Sequence, residues 1–200
     1  KIPNVFENAR RAVELGCNAL MINYLAVGFP VMEALAEDPS INVPILGHMD
    51  VAGALYMSPW HGLSSHLVLG KLPRLAGADI VVIPAPYGKA PVIDYKFRNV
   101  ARNLAFPLYH LKPPFPMASG GITPSMVPTV MAALGNDIVI GSGGGIHAYP
   151  KGPVAGGKAF RQAIDATMQG ISLSEYAKDH QELAIALKEW ADPFSKGITF

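Results

Sequence analysis

The chain has 200 residues, which is enough for one domain with a substantial buried core. Half of its residues are hydrophobic and only 16% are charged, a composition that excludes a disordered chain. The net charge is +1 and no run of Lys or Arg is present, so nothing favours binding to nucleic acid or to an acidic membrane.

Cysteine content and hydropathy indicate the compartment. The single cysteine, Cys17, excludes an internal disulfide, agrees with a reducing cytoplasm and is interpreted as a small buried residue. No apolar run approaches the roughly 20 residues that a membrane span needs. Residues 1–16 have an amphipathic helical pattern without an apolar signal core. We therefore predict a cytoplasmic protein with no membrane or nucleic-acid partner.

Predicted helices and strands alternate along the chain. The strands are short apolar runs, as expected of strands buried on both faces of a parallel sheet. The helices have apolar residues at helical spacing. The predicted strands are 18–25, 43–51, 79–86, 115–121 and 137–145. The predicted helices are 6–16, 30–38, 62–78, 95–105, 125–135, 156–170 and 172–190.

This order predicts an α/β fold with a parallel sheet, and both a doubly wound sheet and a β/α (TIM) barrel share it. Polar residues and glycines gather where the strands end: Asn23, His48, Asp50, 119–121 and 143–145. A β/α barrel carries its chemistry on the loops that leave the strands, so the barrel is favoured. The five predicted strand–helix units are too few to close a barrel, so the barrel would be partial here.

Two glycine-rich turns end two successive predicted strands, ASGGI at 118–122 and SGGGI at 142–146. Backbone N–H groups at such a turn can bind a phosphate, and glycine lets the anion approach the main chain. The loops after the last two strands of a β/α barrel are its usual phosphate site. The dinucleotide fingerprint fails, because its last glycine would fall on Ile146 or Ala148. The turns predict a phosphate site, with tight turns that hold no ligand as the alternative.

Four motifs carry a family resemblance: HGLSSHLVLGKLPRLAGAD, APYGKAP, PMASGGITPSMVP and IGSGGGIHAYPKGPVAGGKAFRQAID. Together they resemble the C-terminal barrel domain of the RuBisCO large-chain family, and most closely its non-carboxylating branch, the RuBisCO-like proteins. The similarity runs from about Phe6 to Gly170 in the family's order. It implies that residues 1–200 are the C-terminal portion of the barrel domain, with about strands four to eight. It also implies that an N-terminal domain and the first strands lie outside this chain.

The resemblance implies a set of residues that contact a substrate phosphate. Those that match the family's phosphate-contacting positions are Ser119, Gly120, Gly121, Gly143 and Gly144.

The resemblance also implies catalytic residues. His48 matches a strand-five histidine near the metal and the reacting carbons, and an imidazole there suits proton transfer. Lys89 matches the lysine on the mobile loop after strand six, with a solvated loop lysine as the alternative. Asn23 falls near another metal-adjacent position and is a weaker match. His147 and Lys151 are interpreted as loop residues near the pocket.

The family chemistry is enolisation of a phosphorylated sugar-like ketone at Mg²⁺, in an active site shared across a homodimer. The family's metal ligands, a lysine and two acids at the end of strand two, have no counterpart in these residues. We therefore expect Mg²⁺ as the cofactor but name no metal ligand in this chain.

Two departures from the carboxylase pattern bear on the substrate. Carboxylases carry an arginine where this chain has Met49, and a histidine in strand six at or beside Val82. Those basic residues hold the second phosphate of the substrate, and a buried phosphate without cations is costly. The substrate is therefore expected to be a monophosphate.

These features favour a RuBisCO-like enzyme that enolises a monophosphorylated keto compound, such as a diketo-methylthiopentyl phosphate. The alternatives are a decarboxylase of a keto sugar-acid phosphate, a true ribulose-bisphosphate carboxylase, and a catalytically dead member that binds a phosphorylated metabolite.

Overall fold

A computed structural model describes residues 4–88 and 93–190 of the chain. The strands form one sheet in chain order, β1 to β5. β1 pairs in parallel with β2, from Leu20 opposite Ile45 to Asn23 opposite His48, and β2 pairs in parallel with β3. The bounds are β1 Leu20–Asn23, β2 Ile45–His48, β3 Ile80–Pro84, β4 Phe115–Ser119 and β5 Val139–Gly141.

Helices occupy the connections between these strands, so the α/β prediction is confirmed. The early helices are α1 Val5–Glu14, α2 Tyr24–Val27, α3 Phe29–Ala36, α4 Gly53–Tyr56, α5 Leu72–Leu75 and α6 Asp94–Ala105. The later ones are α7 Val127–Leu134, α8 Gly143–His147, α9 Pro153–Met168, α10 Leu173–Tyr176 and α11 Gln181–Glu189. A π-helical turn at Leu67–Lys71 precedes α5, and a 3₁₀ turn at Pro124–Met126 precedes α7.

The described chain divides into two compact units. Unit 1 comprises Lys1–Ile83 and Tyr95–Met117, and unit 2 comprises Pro84–Asp94 and Ala118–Phe200. Within residues 4–88 and 93–190, no helix is both long and apolar enough to cross a membrane.

Tyr24 of α2 is fully buried in unit 1. Its hydroxyl donates a hydrogen bond of 3.1 Å to the carbonyl of Val68 in the π-helical turn, where the wider winding frees backbone groups from the regular ladder. A Cβ added to Gly47 of β2 would lie 3.2 Å from the Tyr24 ring. Burial raises the pKa of the Tyr24 hydroxyl, so this residue stays a neutral donor.

Arg74 of α5 binds the loop that follows α6. It is 3% exposed and donates to the carbonyls of Leu104 at 2.9 Å, Lys112 at 3.2 Å and Leu111 at 2.5 Å, and also to that of Phe106. Desolvation lowers the pKa of the guanidinium. Since arginine offers five donors in a rigid fork, one side chain satisfies the end of α6 and the loop together.

Unit 2 is held by contacts between α8, α9 and α11. Buried Tyr149 donates from its hydroxyl to the carbonyl of Glu182 at 2.9 Å. Gln162 of α9 donates to the Glu182 carboxylate at 2.9 Å and accepts from the N–H of Leu183 at 2.9 Å. The Gln162 hydrogen bond is the main cause of the lowered pKa of Glu182.

Several predicted boundaries were wrong. The strand predicted at 18–25 ends at Asn23, because the Asn23 side chain caps α2. The strand predicted at 137–145 ends at Gly141, and Gly143 begins α8. The helix predicted at 172–190 breaks between α10 and α11, where His180 has an extended ψ of 88°.

Two further differences concern shorter segments. Residues 62–64 of the helix predicted at 62–78 are not helical, and Gly62 has a φ of 136°. Cys17 is exposed and not buried, since it lies in the turn between α1 and β1 and its N–H bonds to the carbonyl of Ala12.

Candidate functional site

In unit 1, three polar side chains meet at the carboxyl ends of β1 and β2. Register places Asn23 opposite His48 at the last residues of these strands. The Asn23 side-chain amide donates to Asp50 Oδ2 at 3.2 Å, and the same oxygen lies 3.3 Å from His48 Nδ1. One carboxylate oxygen thus contacts both partners.

The His48 ring is half-buried, and its Nδ1 atom is inaccessible and makes no hydrogen bond within the described part of the chain. A buried polar atom without a hydrogen bond is uncommon, and the Asp50 carboxylate lies within ion-pair distance of this one. The arrangement suits proton transfer, with Asn23 holding Asp50 in place.

The loop that carries Asp50 is strained. Val51 has a φ of 69°, a conformation that a β-branched residue rarely adopts. Strain of this kind gathers at functional sites, where the surrounding structure imposes it.

A Mg²⁺ site is not complete in this cluster. Among residues 4–88 and 93–190, no group of three or more His, Cys, Asp or Glu side chains is placed to hold a metal. Mg²⁺ requires near-octahedral oxygen coordination, whereas this cluster offers one carboxylate, one amide and one imidazole. These residues alone do not fit the ion.

The two positions at which the resemblance leads us to expect basic residues in carboxylases hold apolar side chains here. Met49 is half-buried beside His48, and Val82 is 3% exposed within β3. Neither can supply a positive charge to a phosphate.

In unit 2, the first glycine turn follows β4. Gly120 and Gly121 have φ values of 109° and 91°, which side chains with a β-carbon rarely adopt. Gly88 packs directly on this turn, because a Cβ added to it would lie 1.9 Å from the Gly120 carbonyl oxygen. Ala85 donates its N–H to the carbonyl of Ser119 at 2.8 Å, so backbone contacts fix the turn.

The second glycine segment begins α8 and is not an open turn. The N–H of Ile146 donates to the carbonyl of Ser142 at 3.0 Å, so the N–H groups of Gly143 and Gly144 precede the first intrahelical bond. Both glycines are exposed, and no described atom lies within 4 Å of a Cβ built on either. The helix start therefore leaves backbone donors that an anion can approach.

The remaining predicted residues have different outcomes. Lys89 lies outside the described residues. His147 and Lys151 are exposed, His147 at the end of α8 and Lys151 in the turn before α9.

An apolar groove of about 380 Å³ lies on unit 2 between α7, β5 and α9. Its walls are mainly isoleucine and methionine side chains, and none of the predicted site residues lines it. We assign it no ligand.

Comparison with known proteins decides the family. Residues 1–190 match the family described as ribulose bisphosphate carboxylase large chain, catalytic domain. The chain belongs to the RuBisCO large-chain family. This confirms the resemblance drawn from the four motifs.

Individual members of the RuBisCO large-chain family are also similar. A ribulose bisphosphate carboxylase-like protein of Archaeoglobus fulgidus is 62% identical over 190 residues, covering 94% of this chain and 44% of that protein. A 2,3-diketo-5-methylthiopentyl-1-phosphate enolase of Bacillus cytotoxicus is 46% identical over 190 residues, covering 95% of this chain and 45% of that protein.

A solved structure agrees with the fold. The rubisco-like protein of Alicyclobacillus acidocaldarius superposes with a TM-score of 0.88 at 42% identity, covering 95% of this chain and 48% of that one. The partial RuBisCO-type barrel prediction is confirmed. The chain spans about half the length of the relatives that it matches.

The sequence indicated Asp50 only as a polar residue at the end of a strand and did not predict its contact with His48. Its contact with His48 depends on the β1–β2 register, which places Asn23 beside them. The only signal in the sequence was the position of Asp50 two residues after His48.

Proposed function

We propose that the complete protein is a RuBisCO-like enzyme that enolises a monophosphorylated diketo compound such as 2,3-diketo-5-methylthiopentyl 1-phosphate. One observation carries the proposal: 46% identity over 190 residues to a protein named for that enolase activity. The geometry of each unit supports one part of the chemistry.

Unit 2 supports phosphate binding. The two glycine segments supply backbone N–H groups, and Gly143 and Gly144 leave open space for an anion. We propose that Ser119, Gly120 and Gly121 contribute the rest of the phosphate contacts. Backbone donors suit this task, because they are already oriented before the ligand binds.

Unit 1 supports proton transfer. Enolisation breaks a C–H bond next to a carbonyl, sends the proton to a base and leaves the electron pair in an enolate. We propose that His48 moves a proton through Nε2, while the Asp50 carboxylate, 3.3 Å from Nδ1, favours the tautomer with the proton on Nδ1. Lys89 is proposed as a further catalytic residue that contacts the phosphate or the enolate oxygen.

The substrate is proposed to carry a single phosphate. Met49 and Val82 offer no positive charge, and a second phosphate without a cationic partner would lose most of its hydration without compensation. This argues against ribulose bisphosphate as the substrate.

We propose further features of the complete protein. Mg²⁺ is its cofactor and, when bound, would supply positive charge beside the reacting carbonyl, with ligands from outside residues 4–88 and 93–190. The rest of the barrel and an N-terminal domain lie outside residues 1–200, a proposal supported by the coverage of 44% of the Archaeoglobus fulgidus relative. The active enzyme is a cytoplasmic homodimer.

Proton exchange tests the proposal. The full-length protein is incubated in heavy water with Mg²⁺ and the diketo phosphate, and NMR follows deuterium entering next to the carbonyl. The expected result is exchange that is lost in His48→Ala and on chelation of the metal. His110→Ala is the matched control, because His110 is an exposed histidine of the same unit and is expected to retain exchange.

Other results would contradict the enolase assignment. Release of carbon dioxide from a keto sugar-acid phosphate, without exchange of the diketo phosphate, would indicate the decarboxylase. Uptake of carbon dioxide that depends on ribulose bisphosphate would indicate a carboxylase. Phosphate binding without any turnover would indicate a binding protein.

A further inference from the structure

The three consecutive glycines at 143–145 have different environments. Gly143 and Gly144 are exposed, with no described atom within 4 Å of an added Cβ. Gly145 is buried, and its added Cβ would lie 2.5 Å from the carbonyl oxygen of Ile122 and 3.0 Å from the ring of Phe160. The first two glycines leave room for a ligand, whereas the third allows close packing.

The Gly145 contact joins the two glycine segments of unit 2. Ile122 directly follows Gly121, so the backbone of α8 rests on the residue that ends the first glycine turn. Both partners in this contact are main chain, and main chain cannot move aside as a flexible side chain can. The contact therefore sets the separation between the two groups of N–H donors.

Gly156 of α9 supports α8 from another side. A Cβ added to Gly156 would lie 2.4 Å from the Ile146 carbonyl oxygen and 2.9 Å from Tyr149 Cβ. Gly157, the next residue of the same helix, has no described atom within 4 Å of an added Cβ. Of these two adjacent glycines of α9, only Gly156 lies so close to its neighbours that a β-carbon would collide with them.

We propose that Gly145 and Gly156 are positioning residues for phosphate binding. They let α8 approach Ile122 and α9 closely enough to hold the N–H groups of Gly143 and Gly144 at the distance that the phosphate requires. This inference rests on the proposed phosphate site of unit 2. It assigns a role to residues that do not contact the ligand.

The decisive comparison is Gly156→Ala against Gly157→Ala in the full-length protein. Both changes replace glycine by alanine inside α9 and bring the same gain in helix propensity. Only Gly156→Ala places a methyl group against the backbone of α8. Since displaced N–H donors lose part of their charge-assisted hydrogen bonds to the anion, we expect Gly156→Ala to weaken binding of inorganic phosphate at least about tenfold.

Two measurements separate positioning from a merely structural role. The Kd for inorganic phosphate is determined by calorimetry well below the unfolding temperature. The backbone amide signals of Gly143 and Gly144 are followed by NMR on glycine-labelled protein. Gly156→Ala should shift these signals before phosphate is added, and Gly157→Ala should leave both the signals and the Kd unchanged.

Phe160→Leu is the second variant, used if Gly156→Ala does not fold. It removes the ring against which Gly145 packs, and it is expected to weaken phosphate binding about threefold, since side chains that hold a binding group set its geometry. If folded Gly156→Ala binds phosphate with wild-type affinity, the positioning role is overturned and the phosphate site stands. The same holds for Phe160→Leu if only that variant folds. Failure of the wild-type protein to bind phosphate overturns both proposals.

Discussion

Replacement of Arg74 by methionine tests how the loop after α6 is stabilised. Methionine keeps much of the buried aliphatic volume but removes the donors to four carbonyls. The carbonyl of Leu104 lies in a buried contact and is left without a donor, at a cost of about 1–3 kcal/mol. The other three are only partly buried, so water can replace the donor at a cost of roughly 0.5–1 kcal/mol each.

A gain offsets part of this loss. Desolvation lowers the pKa of Arg74, and methionine avoids the cost of removing a charge from water. We expect a net loss of about 3 kcal/mol in the free energy of unfolding.

Urea unfolding of the full-length protein measures this loss, and hydrogen exchange of residues 104–112 reports the loop itself. Arg102→Met is the control, because Arg102 is exposed on α6 and its replacement should change stability by less than about 0.5 kcal/mol. If Arg74→Met costs no more than the control and exchange in the loop is unchanged, the four hydrogen bonds do not stabilise this segment.

Three further predictions concern single side chains. Tyr24→Phe removes the donor to the π-helical turn and should lower the free energy of unfolding by about 1–2 kcal/mol, measured with urea. Because the pKa of Tyr24 is raised in the folded protein, the wild-type stability should fall above about pH 10, and the stability of the variant should fall less. Hydrogen bonds from Ser40, and secondarily from Arg10, lower the pKa of Asp38 to about 2. The stability that the Asp38 carboxylate contributes is therefore present above its ordinary pKa of 3.8 and is lost as the pH falls through 2. Acid titration of Asp38→Asn should lack this loss. Asp50→Asn removes the carboxylate charge 3.3 Å from His48 Nδ1 and should slow deuterium exchange at least about tenfold. An unchanged rate would exclude Asp50 from catalysis.

The sequence predicted the strands and their order because each strand is an apolar run that ends at polar or glycine residues. Ile45–His48 and Ile80–Pro84 lie inside their predicted ranges. Motif order then identified the family, and the roles proposed for His48 and for the glycine turns come from that resemblance. The order of the elements alone would have left the choice between a barrel and a doubly wound sheet open, and the polar and glycine residues at the strand ends favoured the barrel.

Features that depend on tertiary contacts were missed. Glycine has low helix propensity, so nothing local predicts that Gly143 begins a helix. The close approach of Gly145 to Ile122 and of Gly156 to Ile146 is visible only in the structure. The contact of Asp50 with His48 depends on strand register, which links residues far apart in sequence. Sequence periodicity carries no information on such pairings.

The order of the strands also has a consequence for handling the chain. β1 and β5 are the first and last strands of the described sheet, and Met21 on β1 is 68% exposed. An edge strand presents unpaired N–H and C=O groups that can recruit any other strand, whereas a closed barrel has no edges. A preparation limited to residues 1–200 would expose both edges and is expected to self-associate edge to edge. Low solubility of such a preparation would then reflect its uncovered strand edges, and it would carry no information on the geometry of the candidate site.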